Sequence, residues 1–418
     1  MDEFRILSKN EIVSFARIAV NAYPAFKISS EEEIEKYAAR LQWRTENDPR
    51  VYYYGLYRGE TLTGGLCMWD CFDMNLLGVP VKAGGIGNLA VDLLRKKEKV
   101  ARDMMLHSLR YFRANGVPIV TLYPFRPDFY RKMGFGYGTR IHRYTLNPAD
   151  LPRGRTKEHI VYLTRQDAAG MHDCYMRFYS RTHGMMAKAE PEMAAIFDNS
   201  QVKVVGCKRD GKVTAYMTFT FKNDAQGRFL VNDILVREMV FDGRDDLSEL
   251  MAFLHSQADQ IRKVIIDTQD ESFFFLPVDA RDGSMDMIPS VYHVTGTQGV
   301  GLMYKVVDVP GAFRLLKDHS FGGKTVKIRI TIEDSFTPEN SGSVVVHFTD
   351  GLPEVKDGTA PWDVEIVMDV AEFSSMLVGA VGFESLYTYG LAEISDVSQI
   401  PVVDALFRAP KPICFTAF

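Results

Sequence analysis

The chain has 418 residues, 46% of them hydrophobic and 25% charged, the composition of a folded protein with more than one core. Its net charge of -5 at pH 7 provides no general attraction for nucleic acid, so no nucleic-acid partner is expected. No apolar run is long enough to span a bilayer. The acidic, polar-interrupted start MDEFRILSKNEIVSF is not a signal peptide, and five scattered cysteines suit reduced thiols. A cytoplasmic protein is expected. Cys67 and Cys71 lie in CMWDC, but no second cysteine pair or nearby histidine completes a zinc site. None of the nine histidines has metal-ligand or catalytic spacing, so no metal is expected.

Along the chain, two stretches repeat. FRILSKNEIVSFARIAVNAY (4–23) resembles IVYLTRQDAAGMHDCYMRFY (160–179): a short apolar strand, a polar cap, then a helix with apolar residues at helical spacing. VYYYGLYRGETLTGGLCMW (51–69) matches KVVGCKRDGKVTAYMTFTF (203–221), each a strand, a glycine turn and a strand. Two matches in one order indicate a duplicated α/β module, at about 1–148 and 149–299. From about 300 the pattern changes. KTVKIRITIE and GSVVVHFTDG alternate polar and apolar residues, and a helix is expected near Ala371. Residues 300–418 therefore read as a separate α+β domain with an antiparallel sheet.

The modules differ where a ligand would sit. In the first, an apolar strand ends at Val91 and is followed by Arg95, Lys96, Lys97 and Lys99, then by a helix. Cations at a helix start oppose the helix dipole, and an anionic ligand relieves that cost. The stripe Val100, Met104, Met105, Leu109 and Phe112 is core, and Asn115-Gly116 ends the helix. Residues 85–90 match G-x-G-x-x-A formally, but the strand continues through Ala90, which is wrong for a dinucleotide fingerprint. In the second module, Asp242, Asp245 and Asp246 precede the expected helix, with Arg244 the nearby cation. Three carboxylates repel a diphosphate.

The order strand, basic turn, helix, strand and Tyr130-bearing segment resembles the acetyl-CoA site of the GNAT superfamily. The whole chain resembles the enhanced-intracellular-survival (Eis) acetyltransferases. That resemblance rests on the basic turn, FYRKMGFGYG (129–138), MYKVVDVPGAF (303–313) and an end in phenylalanine, PICFTAF. It implies an α/β (α+β) fold. Tandem GNAT-like domains, catalytic at 1–148 and without cofactor at 149–299, precede a sterol-carrier-protein-like domain at 300–418. It implies acetyl-CoA as co-substrate and a homo-oligomer, a hexamer. The backbone of Leu89, Ala90 and Val91 would pair with the pantetheine arm. Lys96, Lys97, Glu98, Lys99, Val100, Ala101 and Arg102 would hold the pyrophosphate, and Phe125 and Arg126 would touch the cofactor. Lys99 stands where the superfamily usually has glycine, and it either supplies charge or partly closes the site.

The same resemblance assigns Tyr130 as general acid and the α-carboxylate of Phe418 as base. Ile413, Cys414, Phe415 and Phe418 are expected to be buried together. Transfer of an acetyl group to a primary amine follows as the expected activity, with a polyamine, an aminoglycoside-like compound or a peptide lysine as acceptor. The alternative is a non-catalytic protein binding an apolar ligand in its C-terminal domain.

Overall fold

The computed structural model describes residues 2–223, 228 and 231–416. β1 (Asp2–Ile6) leads into α1 (Lys9–Ala22), whose start is fixed by a capping box: the Ser8 backbone N–H donates to Glu11 Oε2 at 2.8 Å. α2 (Glu31–Asn47) starts the same way at Ser30. β2 (Val51–Arg58) and β3 (Thr61–Leu76) form the expected hairpin, and β4 (Val79–Val91) returns antiparallel to β3. α3 (Val100–Ala114) buries the expected apolar stripe against the sheet. Each of those side chains contributes roughly 1.5–3 kcal/mol by leaving water. After Asn115 the chain enters β5 (Ile119–Leu122), parallel to β4 as a helical crossover allows. α4 (Pro127–Arg131) and β6 (Gly136–Tyr137) follow.

The next strand, β7 (Ile141–Leu146), belongs to a second sheet. That sheet is built with β8 (Ile160–Tyr162), α5 (Ala168–Arg181), α6 (Glu190–Ala195), β9 (Val202–Arg209), β10 (Lys212–Asn223), β11 (Asn232–Phe241), α7 (Arg244–His255) and β12 (Ile261–Thr268). A small hairpin, β13 (Met287–Ile288) and β14 (Tyr292–His293), precedes β15 (Gly296–Gly299) and β16 (Met303–Val306).

The strand orders show the repeat. The first sheet runs β1-β2-β3-β4-β5-β16-β6, and the second runs β8-β9-β10-β11-β12-β7-β15. Each holds one parallel pair, β4 with β5 and β11 with β12. In each, the strand inserted after that pair comes from beyond the other module: β16 satisfies the edge of β5, and β7 the edge of β12. The expected bounds at 148 and 300 therefore differ from the strand pairing. One compact unit comprises 2–138 with 302–411, and the other 139–301 with 412–416.

The C-terminal region forms α8 (Val309–Leu315), β17 (Val326–Glu333), β18 (Gly342–Thr349), β19 (Leu352–Lys356), β20 (Val364–Asp369), α9 (Val370–Leu377), α10 (Phe383–Thr388), β21 (Ala392–Ile394) and α11 (Ile400–Phe407). Its sheet, β19-β18-β17-β20-β21, is mixed rather than antiparallel, because β17 and β20 run parallel. β19 is short, and residues 357–363 return the chain to the start of β17. There the Asp363 N–H donates to the Lys327 carbonyl at 2.8 Å, so β20 enters from the same end.

This region packs on the first sheet within one unit. Lys305 on β16 is fully buried and donates to Met133 O at 2.7 Å and Asp334 Oδ1 at 2.9 Å. The GFG of the 129–138 segment has a packing reason. Gly134 turns the chain at φ +81, and a Cβ on Gly136 would lie 2.1 Å from the Ala371 carbonyl oxygen on α9.

Candidate active site

The pairing of β4 with β5 stops at Ile86 and Leu122. Beyond it β4 continues to Val91, while the other chain turns into α4, so the strands part. Two cavities lie in this opening, both within the first unit.

The basic cavity measures about 630 Å³. Arg95, Lys96, Lys97 and Lys99 line it together with Val100, Ala101 and Arg102 of the first turn of α3. Leu89 and Val91 on β4, and Phe125 and Arg126 before α4, complete its walls. Ala90 and Glu98 do not line it. Ala90 is buried in the sheet, and the Glu98 carboxylate is held by Arg58 at 3.2 Å. With Glu98 turned aside, the cations of the turn dominate the cavity mouth.

The backbone here has the shape the glycine pattern implies. Lys97 and Lys99 sit at φ +68 and +65, in the left-handed region, and Lys99 occupies the N-cap of α3 without a side-chain cap. The first-turn N–H groups of α3 therefore have no intrahelical acceptors and lie among cations, a fit for a diphosphate. The Asp92 carboxylate fixes the approach to the turn by accepting from Leu94 N–H at 2.9 Å.

The aromatic cavity measures about 600 Å³ and shares Tyr23, Leu89 and Phe125 with the basic one. Phe26, Tyr37, Trp43, Tyr53, Trp69 and Tyr123 add further rings to its lining. Tyr130 lines it from α4 with 3% of its surface exposed. Its ring packs edge-on against Phe125 at 5.7 Å and Phe129 at 5.2 Å. Burial pushes the Tyr130 hydroxyl pKa well up, and neighbouring Tyr23 adds to the effect. The Tyr23 hydroxyl donates to the Leu89 carbonyl, and burial pushes its pKa up to about 12.

Tyr23 and Phe129 join the site without having been singled out for it. Tyr23 ends the first repeated stretch, which is its one signal in the sequence. Phe418, expected as base, lies outside the described residues. Cys414 before it is buried, and Ile413 and Phe415 are half-buried.

In the second unit, the matching opening beyond Val236 and Ile266 holds an apolar cavity of about 360 Å³, bordered by Ile413 and Phe415. Ile413 N–H donates to His183 O at 2.8 Å, Cys414 N–H donates to Gln269 Oε1 at 2.6 Å, and Phe415 stacks on Phe178 at 5.8 Å. The three aspartates expected to repel a diphosphate are differently placed. α7 already begins at Arg244, Asp242 pairs with Arg177 at 2.8 Å, and buried Asp246 pairs with Arg209 at 3.1 Å. Asp245 lies 3.8 Å from Arg244, so each of the three charges has an arginine beside it, and the tail borders this cleft together with Glu238, Asp267 and Asp270.

Residues 3–138 match the acetyltransferase (GNAT) domain family, and residues 311–415 match the sterol carrier protein domain family. Solved structures share the fold over the full chain. They include a GCN5-related N-acetyltransferase from Anabaena variabilis (TM-score 0.82, 16% identity), another from Kribbella flavida (0.78, 18%) and Eis1 from Mycobacterium abscessus (0.77, 17%). Each alignment covers 100% of this chain and 100% of the other. No curated protein matches the chain. No helix among the described residues is long and apolar enough to cross a membrane. The chain is therefore an acyltransferase of the GNAT kind, with a GNAT acetyltransferase domain at 3–138 and a sterol carrier protein domain at 311–415, in a fold it shares with Eis1.

Proposed function

We propose that the protein transfers an acetyl group from acetyl-CoA to a primary amine. The observation that carries this is the meeting of the two cavities at Tyr23, Leu89 and Phe125, with Tyr130 lining the aromatic one. Acetyl-CoA supplies the activated thioester. Lys96, Lys97, Lys99 and the first turn of α3 hold its diphosphate, and Leu89 and Val91 line its arm. Backbone N–H groups near Val91 stabilise negative charge developing on the carbonyl oxygen. The Phe418 α-carboxylate removes the ammonium proton, directly or through water, so that the amine becomes a nucleophile. Tyr130 then gives its proton to the departing sulfur. A raised pKa keeps that proton on Tyr130 until the transfer. One cofactor site per chain is expected, in the first domain.

The chain end is the sharpest test. Amidating the Phe418 carboxylate preserves length and phenyl group but leaves an amide that cannot accept the proton. CoA affinity should be unchanged and acetyl transfer should fall by on the order of 10²–10⁴, the range for losing one acid–base group. Native turnover by the amidated enzyme would place the base elsewhere. Absence of CoA binding to the native protein would remove the whole reading.

A further inference from the structure

The aromatic cavity carries an unusual charge pattern for a site that takes amines. Its charged lining residues among those described are Arg40 and Arg44, and no described aspartate or glutamate lines it. The two arginines stand at i and i+4 on α2, one turn apart on the face that also presents Tyr37 and Leu41 to the cavity. Like charges so spaced repel by roughly 0.2–0.5 kcal/mol. Neither guanidinium forms an ion pair or hydrogen bond with a described residue. Instead each lies over a ring, Arg40 at 5.4 Å from the Tyr37 centroid and Arg44 at 5.1 Å from that of Trp69. A guanidinium over a ring keeps N–H groups that match a carboxylate in a two-point hydrogen bond.

The walls fit the same picture. Tyr37 is itself fixed, its hydroxyl accepting from Asn88 Nδ2 at 3.0 Å and its ring packing 5.4 Å from Phe26. Asn88 is held by the β4 bulge at φ +48. A polycation entering here would meet two positive charges and no described carboxylate, whereas a flat apolar body with an anionic end would meet rings and then arginines.

We infer that the acceptor is an amine whose aromatic or apolar body also carries a carboxylate or similar oxyanion, held by Arg40 and Arg44. This rests on the acetyl-transfer reading, and the experiment separates the two. Binding of 4-(aminomethyl)benzoate, benzylamine and spermidine is measured by calorimetry in the presence of CoA, in the native protein and in Arg40→Gln/Arg44→Gln. Both arginines are exposed, so the expected preference for the benzoate over benzylamine is about tenfold, the low end for hydrogen bonds between charged groups. The double variant should lose that preference and keep its benzylamine affinity. Equal affinities in the native protein, a preference that survives the double substitution, or tightest binding of spermidine each overturn the inference. Turnover with acetyl-CoA is then read on the same three amines. Selective binding without acetylation of any of them supports the anion site and counts against acetyl transfer, while acetylation without selectivity does the reverse.

Discussion

Lys99 stands where the GNAT pattern has glycine, and the structure separates the two effects of that lysine. The residue sits at φ +65 and ψ 9, a conformation that costs an L side chain about 1–2 kcal/mol. Glycine removes that cost but loses roughly 0.5–1 kcal/mol more to unfolded-state freedom. Lys99→Gly should therefore leave the protein about as stable, or more stable by up to about 1.5 kcal/mol. The cofactor effect has the opposite sign. Lys99 is exposed, so its attraction for a phosphate at about 4 Å is near the aqueous limit of about 1 kcal/mol. That corresponds to roughly fivefold in Kd. Calorimetric titration with CoA at low and moderate salt, beside thermal unfolding, reads both quantities. Lys99→Asn is the companion variant, because asparagine tolerates the left-handed region and carries no charge. Both variants should bind CoA about fivefold more weakly at low salt, and the difference from the native protein should shrink as salt rises. Tighter binding by Lys99→Gly would refute the charge argument and make the lysine an obstruction.

Tyr130→Phe should keep the fold and lower turnover by on the order of 10²–10⁴, since it deletes only the acidic hydroxyl. Because burial raises the Tyr130 pKa above the usual value of about 10, the native enzyme should show no loss of kcat on the alkaline side up to about pH 10; a falling limb below pH 9 that the variant abolishes would contradict this. Titration with CoA should saturate at one per chain, and two sites of similar affinity would show that the second module also binds it. Lys305→Met should destabilise the protein by about 3–5 kcal/mol in denaturant unfolding, because it strands the buried Asp334 carboxylate. A change below about 1 kcal/mol would mean that Asp334 is satisfied by its bonds to Phe336 N–H, Thr337 and Asn340 alone.

Much of this architecture is legible in the residues because periodicity is local. The α3 stripe, the two hairpins, the Asn115-Gly116 stop and the strand–helix junction at Asp369–Val370 all follow from spacing and turn chemistry. The exchange of β7 and β16 was not legible, since both are short apolar strands and nothing in their own sequences names the edge they join. Lys305 carries no local sign of burial, and its partner Asp334 lies 29 positions along the chain. At the candidate site, the cations and Tyr130 were visible as residue types. The turning of Glu98 toward Arg58 depends on a contact across forty positions, which periodicity does not report.

The two modules share a strand order and differ in what fills the opening of their parallel pair. In the first, pairing stops at Ile86–Leu122 and the space is bounded by Lys96, Lys97 and Lys99 with unsatisfied first-turn N–H groups. In the second, it stops at Val236–Ile266 and the space is bordered by Ile413 and Phe415, in a tail whose Ile413 and Cys414 N–H groups donate to the His183 carbonyl and the Gln269 side chain. A segment of the same chain reaches such a cleft at an effective concentration on the order of millimolar, so it competes well with a free ligand without needing a tight contact of its own. The Asp242 and Asp246 carboxylates pair with Arg177 and Arg209 and do not line the cleft, whose charged walls among the described residues are Arg237, Glu238, Asp267 and Asp270. The expectation of one CoA per chain therefore rests on an apolar occupant and on lining carboxylates at Glu238, Asp267 and Asp270 against the single described lining cation Arg237, rather than on Asp242, Asp245 and Asp246.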